Sequence, residues 1–255
     1  MYQLLRSVFV TVAAAGILSA APVTFAGSSG NLAASATFDT DASGQLMIRL
    51  TNTATAMSVN PAMLLTAVYF DYWGSNPALS PVSAMMGAGA TVACSPYPAC
   101  AGTLPVGGNV SGEWAYETKA DEHHMPREFG ASSSGLGLFG SSDRFGTVNL
   151  FGPADPDGMQ YGIATANYNP LMANGGLQSQ PVVVNSVTLT LSGFTGKDLD
   201  KIRNVLFQYG TDLCEPQVPG DPWTPPPPSQ VPEPATMAAM GSGLTALALL
   251  RRRRK

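Results

Sequence analysis

The chain has 255 residues, a formal net charge of −4 and only 12% charged residues against 45% hydrophobic ones. That length holds one larger β domain or two small ones, and the charged share is about half that of an ordinary soluble domain. An acidic chain so poor in Lys and Arg cannot neutralise many phosphates, which argues against nucleic acid as a partner. With 27 Gly and 21 Pro, turns should be frequent and long helices few.

Arg6 begins the chain with a thin positive region, and an apolar stretch follows from Val8 to Ala21. Small residues then frame Thr24-Phe25-Ala26, the best cleavage site. A cut after Ala21 is disfavoured because Pro22 would follow it. Residues 1–26 thus have the layout of a secretory signal peptide. The alternative, a membrane anchor or buried helix, suits the run less well because it is short for a span.

The body, 27–215, reads as β. Residues 31–39 form a first strand candidate. Asp39-Thr40-Asp41-Ala42-Ser43-Gly44 spaces oxygens like the start of a calcium loop, but Leu50 stands where the bidentate Glu belongs, so a polar turn is expected. Leu46, Ile48 and Leu50 then alternate with Met47, Arg49 and Thr51, the period of a half-buried strand. Leu64 to Trp73 is almost continuously apolar, which fits a strand covered on both faces or a buried helix. Cys94 and Cys100 enclose Ser-Pro-Tyr-Pro-Ala and are the disulfide candidate in a compartment that permits disulfides; the alternatives are unpaired thiols or pairing of one of them with Cys214. Residues 90–94, 112–117, 146–151 and 160–166 are short strand candidates. Trp114 and Tyr116 share a strand face; such aromatics can bind sugars but more often anchor a core.

His123 and His124, the only histidines, sit in the charged stretch 121–128. Adjacent side chains on a strand point apart, so a solvated loop is expected and no metal site. Asp155-Pro156-Asp157-Gly158 reads as a turn. Val187, Leu189 and Leu191 alternate with Thr188, Thr190 and Ser192, the cleanest strand of the chain, and Val205, Phe207 and Tyr209 alternate with Leu206 and Gln208. Many short strands between turns predict a mainly β fold, an antiparallel β-sandwich or jelly roll, flanked by an N-terminal signal helix and a C-terminal hydrophobic helix.

The C-terminal end opens with a Pro-rich linker, 216–230, in which Pro225 to Pro228 should form a stiff polyproline II spacer. The tail, 231–255, runs Val231-Pro232-Glu233-Pro234, an apolar stretch from Ala235 to Leu250, then Arg251, Arg252, Arg253, Arg254 and Lys255. As a helix the apolar stretch spans about 24 Å, marginal against a hydrocarbon core of about 30 Å. The basic cluster should remain cytoplasmic as a stop-transfer signal. Pro232 and Pro234 resist helix formation and keep the motif extended just outside the membrane.

This tail resembles the PEP-CTERM sorting signal of Gram-negative bacteria that make exopolysaccharide, with Pro232, Glu233 and Pro234 matching the family motif. The resemblance implies recognition by exosortase, an integral-membrane cysteine protease, which removes the tail and releases or attaches the protein at the cell surface. Phrases in the body are similar to those of exosortase-dependent surface proteins: Leu50-Thr51-Asn52-Thr53, Val68-Tyr69-Phe70-Asp71, Ser133-Ser134-Gly135-Leu136-Gly137, and Phe207 to Leu213 followed by Glu215-Pro216. They imply a β-rich surface protein and supply no catalytic residue.

Signal peptidase and exosortase are therefore the expected processing partners, with an inner-membrane precursor preceding release to the outer surface or matrix. Extracellular polysaccharide is the expected surrounding. The body is expected to be structural or adhesive, without cofactor or catalytic residues: no G-x-S-x-G, H-E-x-x-H or P-loop occurs. A carbohydrate-binding module is the alternative, and a secreted hydrolase stays open because paired acids have no fixed sequence spacing.

Overall fold

A computed structural model describes residues 21–95, 104–119, 121–156 and 158–222. The chain is mainly β, and among the described residues its strands form two sheets.

The first sheet opens with β1 (Val23–Ser29), β2 (Leu32–Thr40) and β3 (Leu46–Asn52). Gly30, at φ 57°, makes the tight β1–β2 turn that an L side chain would resist. The sheet adds β5 (Ser80–Met86), β11 (Ser186–Ser192) and the two-residue β14 (Asp221–Pro222), in the antiparallel order β14-β1-β2-β3-β11-β5. Its period-two strands behave as their sequences dictate. Val187, Leu189 and Leu191 stand opposite Leu50, Ile48 and Leu46, and all six are fully buried, while Thr188 and Thr190 are only half-buried.

The second sheet is mixed. Its central strands are β4 (Leu65–Tyr72) and β12 (Ile202–Tyr209), which pair antiparallel. β13 (Gln217–Pro219) lies beyond β12, while β9 (Ile163–Ala164), β10 (Val182–Val184) and β6 (Thr91–Ala93) follow on the other side of β4. β9 and β10 are parallel. β8 (Phe129–Ser132) also pairs with β4, and β7 (Ala115–Thr118) pairs with β8.

Both sheets contribute to one core. The rings of Phe38 in β2 and Phe70 in β4 meet edge-on with centroids 5.3 Å apart, and Phe70 stacks on Phe129 of β8 at 5.2 Å. Such aromatic pairs add to the area they bury. The opposite face of β4 is covered too, since Ala67 and Tyr69 pack with Met125, Leu136 and Phe139. Cover on both faces explains the unbroken apolar run of this segment.

Among the described residues, strands run from Val23 in β1 to Pro222 in β14. Ala26, the expected cleavage point, lies within β1, and β1 is paired on both edges. Residues 217–219 and 221–222 of the expected linker are β13 and β14. Val218 is almost fully buried, whereas Pro219 and Pro222 fall in very short strands. Proline tolerates such positions because few ladder hydrogen bonds are asked of it. Residues 146–151 are irregular, and the strand expected at 112–117 starts only at Ala115, after a 3₁₀ turn at Ser111–Glu113. The flanking terminal helices lie outside the described residues. Among the described residues, no helix is long and apolar enough to cross a membrane.

Candidate functional site

The last hairpin, where the body hands over to its tail, is held by two side chains. Gln208 is fully buried, and its Nε2 donates to the carbonyl oxygens of Tyr209 (2.8 Å) and Asp212 (3.1 Å). Its Oε1 accepts from Gln217 Nε2 of β13 at 2.8 Å. The Glu215 carboxylate accepts the backbone N–H groups of Thr211 and Asp212. Gly210 sits at φ 78°, and a Cβ there would come within 2.3 Å of the Glu215 carboxyl group. Thr66 Oγ1 donates to the Gly210 carbonyl at 2.6 Å, tying the turn to β4. The residues that resembled surface-protein phrases thus build a turn. Ser132 and Ser134 act likewise: Ser132 Oγ donates to the Ser134 carbonyl (2.6 Å) and accepts from Ser134 N–H (3.0 Å), in a buried loop over β4.

Most of the striking carboxylates are ties. Glu113 is 5% exposed; burial raises its pKa, opposed by the Leu150 and Phe151 N–H groups that it accepts and by Arg144. It pins the loop 146–151 that reads as a strand in sequence. Asp71 and Glu128 line a cavity of about 650 Å³ together with Lys119, Arg127 and Asn76. Both Asp71 oxygens are engaged, accepting Glu128 N–H (2.9 Å) and Asn204 Nδ2 (2.8 Å), and Glu128 Oε2 accepts Tyr72 N–H (3.3 Å).

Glu117 and Asp121 form a different kind of pair. Partial burial, with the Asp121 and Asp143 carboxylates nearby, pushes Glu117 up to about 7. Hydrogen bonds from Thr118 Oγ1 (2.7 Å) and from the Glu117 side chain hold Asp121 below the usual carboxylate range. One proton shared between two carboxylates explains the opposite directions. No sequence signal marks this pair, because the i, i+4 spacing here spans a strand end and a turn.

Trp114 is fully buried and Tyr116 is 6% exposed, so neither forms a surface platform; both belong to the shared core. Tyr69 and Tyr72 are buried as well, and Trp73 is exposed. His123 and His124 occupy an exposed turn, where Glu122 accepts the His124 N–H. Asp41 Oδ1 accepts from Ser43 N and Gln45 N, both at 2.8 Å, which makes 39–44 a self-satisfied hairpin turn. Among the described residues no group of His, Cys, Asp and Glu could hold a metal ion. Asp157 lies outside the described residues, and so does that part of the 155–158 turn.

Cys94 is disulfide-bonded, and Cys214 carries an exposed free thiol whose pKa is raised by the adjacent Asp212. Cys100 lies outside the described residues, as do the sorting motif Pro232, Glu233 and Pro234 and the basic cluster Arg251 to Lys255.

Comparison with curated proteins and with solved structures returns no match. The C-terminal end does match a family, described as the PEP-CTERM protein-sorting motif, over residues 230–255. The matched segment contains, in this order, Pro232-Glu233-Pro234, the apolar stretch and the terminal arginines. The chain carries a PEP-CTERM protein-sorting motif at its C-terminal end.

Proposed function

We propose that this chain is a surface protein of a Gram-negative bacterium, exported behind its N-terminal signal and sorted by exosortase. The observation that carries the reading is the match of residues 230–255 to the sorting motif. In the precursor the apolar stretch 235–250 holds the chain in the inner membrane, with Arg251 to Lys255 on the cytoplasmic side. Exosortase acts at Pro232-Glu233-Pro234, and the β-sandwich body passes to the outer surface or the extracellular matrix.

There the body is structural or adhesive, among exopolysaccharide. Support comes from the use the fold makes of its polar residues: Glu113, Glu215, Asp71 and Glu128 bind backbone N–H groups of their own chain. The burial of Trp114 and Tyr116 weighs against a sugar platform built on them.

The test is processing in a host that makes exosortase. The double variant Pro232→Ala, Pro234→Ala should accumulate as unprocessed protein in the inner membrane, while the parent chain is released. Normal release of the variant would overturn the reading.

A further inference from the structure

We infer that signal peptidase cuts the Ala20–Ala21 bond, so that the mature protein keeps the whole of β1. The inference rests on the export reading above, and it moves the cut away from the site that local sequence favours.

Thr24-Phe25-Ala26 has the small residues a peptidase pocket accepts, but the fold uses this segment. Phe25 is 1% exposed, and its ring meets Phe38 edge-on at 5.8 Å within the core shared by both sheets. Thr24 and Thr37 hydroxyls are 2.9 Å apart across the β1–β2 ladder. That ladder pairs Val23 with Phe38, Thr24 with Thr37, Phe25 with Ala36 and Ala26 with Ser35. On the other edge, Phe25 and Ala26 pair with Pro222 and Asp221. A cut after Ala26 removes four of these β1–β2 pairs, the whole β14 ladder and one of the largest fully buried side chains. It also leaves β14 without a partner strand and opens an edge at β2.

The junction between leader and body is upstream. Ala21 and Pro22 are exposed, and β1 begins at Val23, directly after the proline. Proline before the first residue of a strand costs no ladder hydrogen bond. The Ala21–Pro22 bond is a poor substrate, since its nitrogen belongs to the proline ring. One bond earlier, Ala20 supplies the small residue at −1, Ala21 follows the cut, and Pro22 is moved to the second position. Leu18 at −3 is bulkier than the Ala-x-Ala pattern, which is why composition alone points elsewhere.

The experiment expresses the full chain in a secreting Gram-negative host and reads the N-terminus of the processed protein by mass spectrometry. Ala21 as first residue is the expected result. Gly27, or any other internal start, overturns the assignment while leaving the export reading intact. A chain still beginning at Met1 in the cytoplasm defeats the export reading, and the cleavage assignment with it. Two variants separate the sites. Ala26→Val, a residue that suits a strand, should be processed at the parental position and rate. Ala20→Phe should accumulate precursor. The reverse pattern, with Ala26→Val blocked and Ala20→Phe processed normally, overturns the inference.

Discussion

Phe25 and Pro222 face each other across the β1–β14 ladder, so the first and last strands of the body are neighbours in one sheet. Pro222, at the end of the described residues, therefore lies close to the start of β1. This pairing makes Phe25 a sensitive probe. In a body spanning 21–222, Phe25→Ala should cost about 3–5 kcal/mol, the usual range for emptying a buried aromatic site. Urea melts would measure the cost; a loss below about 1 kcal/mol would mean that β1 is not part of the stable core.

The alternation of β11 gives a paired prediction. Leu189 is fully buried against Ile48, whereas Thr190 is half-buried on the other face. Leu189→Ala should cost roughly 2–5 kcal/mol, and Thr190→Ala under about 1 kcal/mol. Equal losses in the same melts would show that both faces of β11 are packed.

Glu117 should make stability fall with rising pH. Its folded pKa, about 7, lies above the ordinary value of 4.5. Between those values the folded state keeps a proton that the unfolded chain has released. The contribution is complete below about 4.5 and is lost as pH rises through about 7. Asp121 has the opposite sign: its contribution is present above its ordinary value and is lost as pH falls. Glu117→Gln keeps a neutral hydrogen-bonding side chain, so it should flatten the stability slope between pH 4.5 and 7. Denaturation midpoints at four or five pH values would read the difference, and an unchanged slope would place the proton elsewhere.

The cysteines predict a simple mass. Alkylation of the exported protein without reduction should add one label, on Cys214, and reduction should expose two more thiols at Cys94 and Cys100. A bridge between these two encloses so short a loop that its loss should cost only about 2 kcal/mol. Labelling of all three thiols without reduction would rule it out.

The sequence carried the strands with strong periodicity, and the structure explains why others were hidden. β3 and β11 alternate cleanly because one face of each is buried and the other half-open. β1 is hidden by its own composition: small residues surround Phe25, and its strand character shows only where Phe38 and Pro222 are brought beside it. β13 and β14 are hidden by proline and glycine, which usually mean linker, and their pairing appears only in the registers of β13 with β12 and of β14 with β1. Residues 146–151 show the opposite error. Their apolar positions suggested a strand, but Glu113, distant in sequence, satisfies the Leu150 and Phe151 N–H groups in place of a neighbouring strand. The Gln208–Glu215 latch was visible as a phrase but not as a device, because hydrogen bonds across a turn leave no periodic trace. The sorting motif was legible for another reason: its meaning lies in the order of residues along the chain.

Because β14 completes the edge at β1, the first sheet is complete only once residues 221–222 are in place. β1 pairs on one edge with its neighbour β2 and on the other with β14, and β4 pairs with β12, far along the chain. Pairings between such distant segments form slowly, since loop closure must precede any gain from contact. A chain built this way reaches its compact state late, when residues 217–219 and 221–222 have joined β12 and β1.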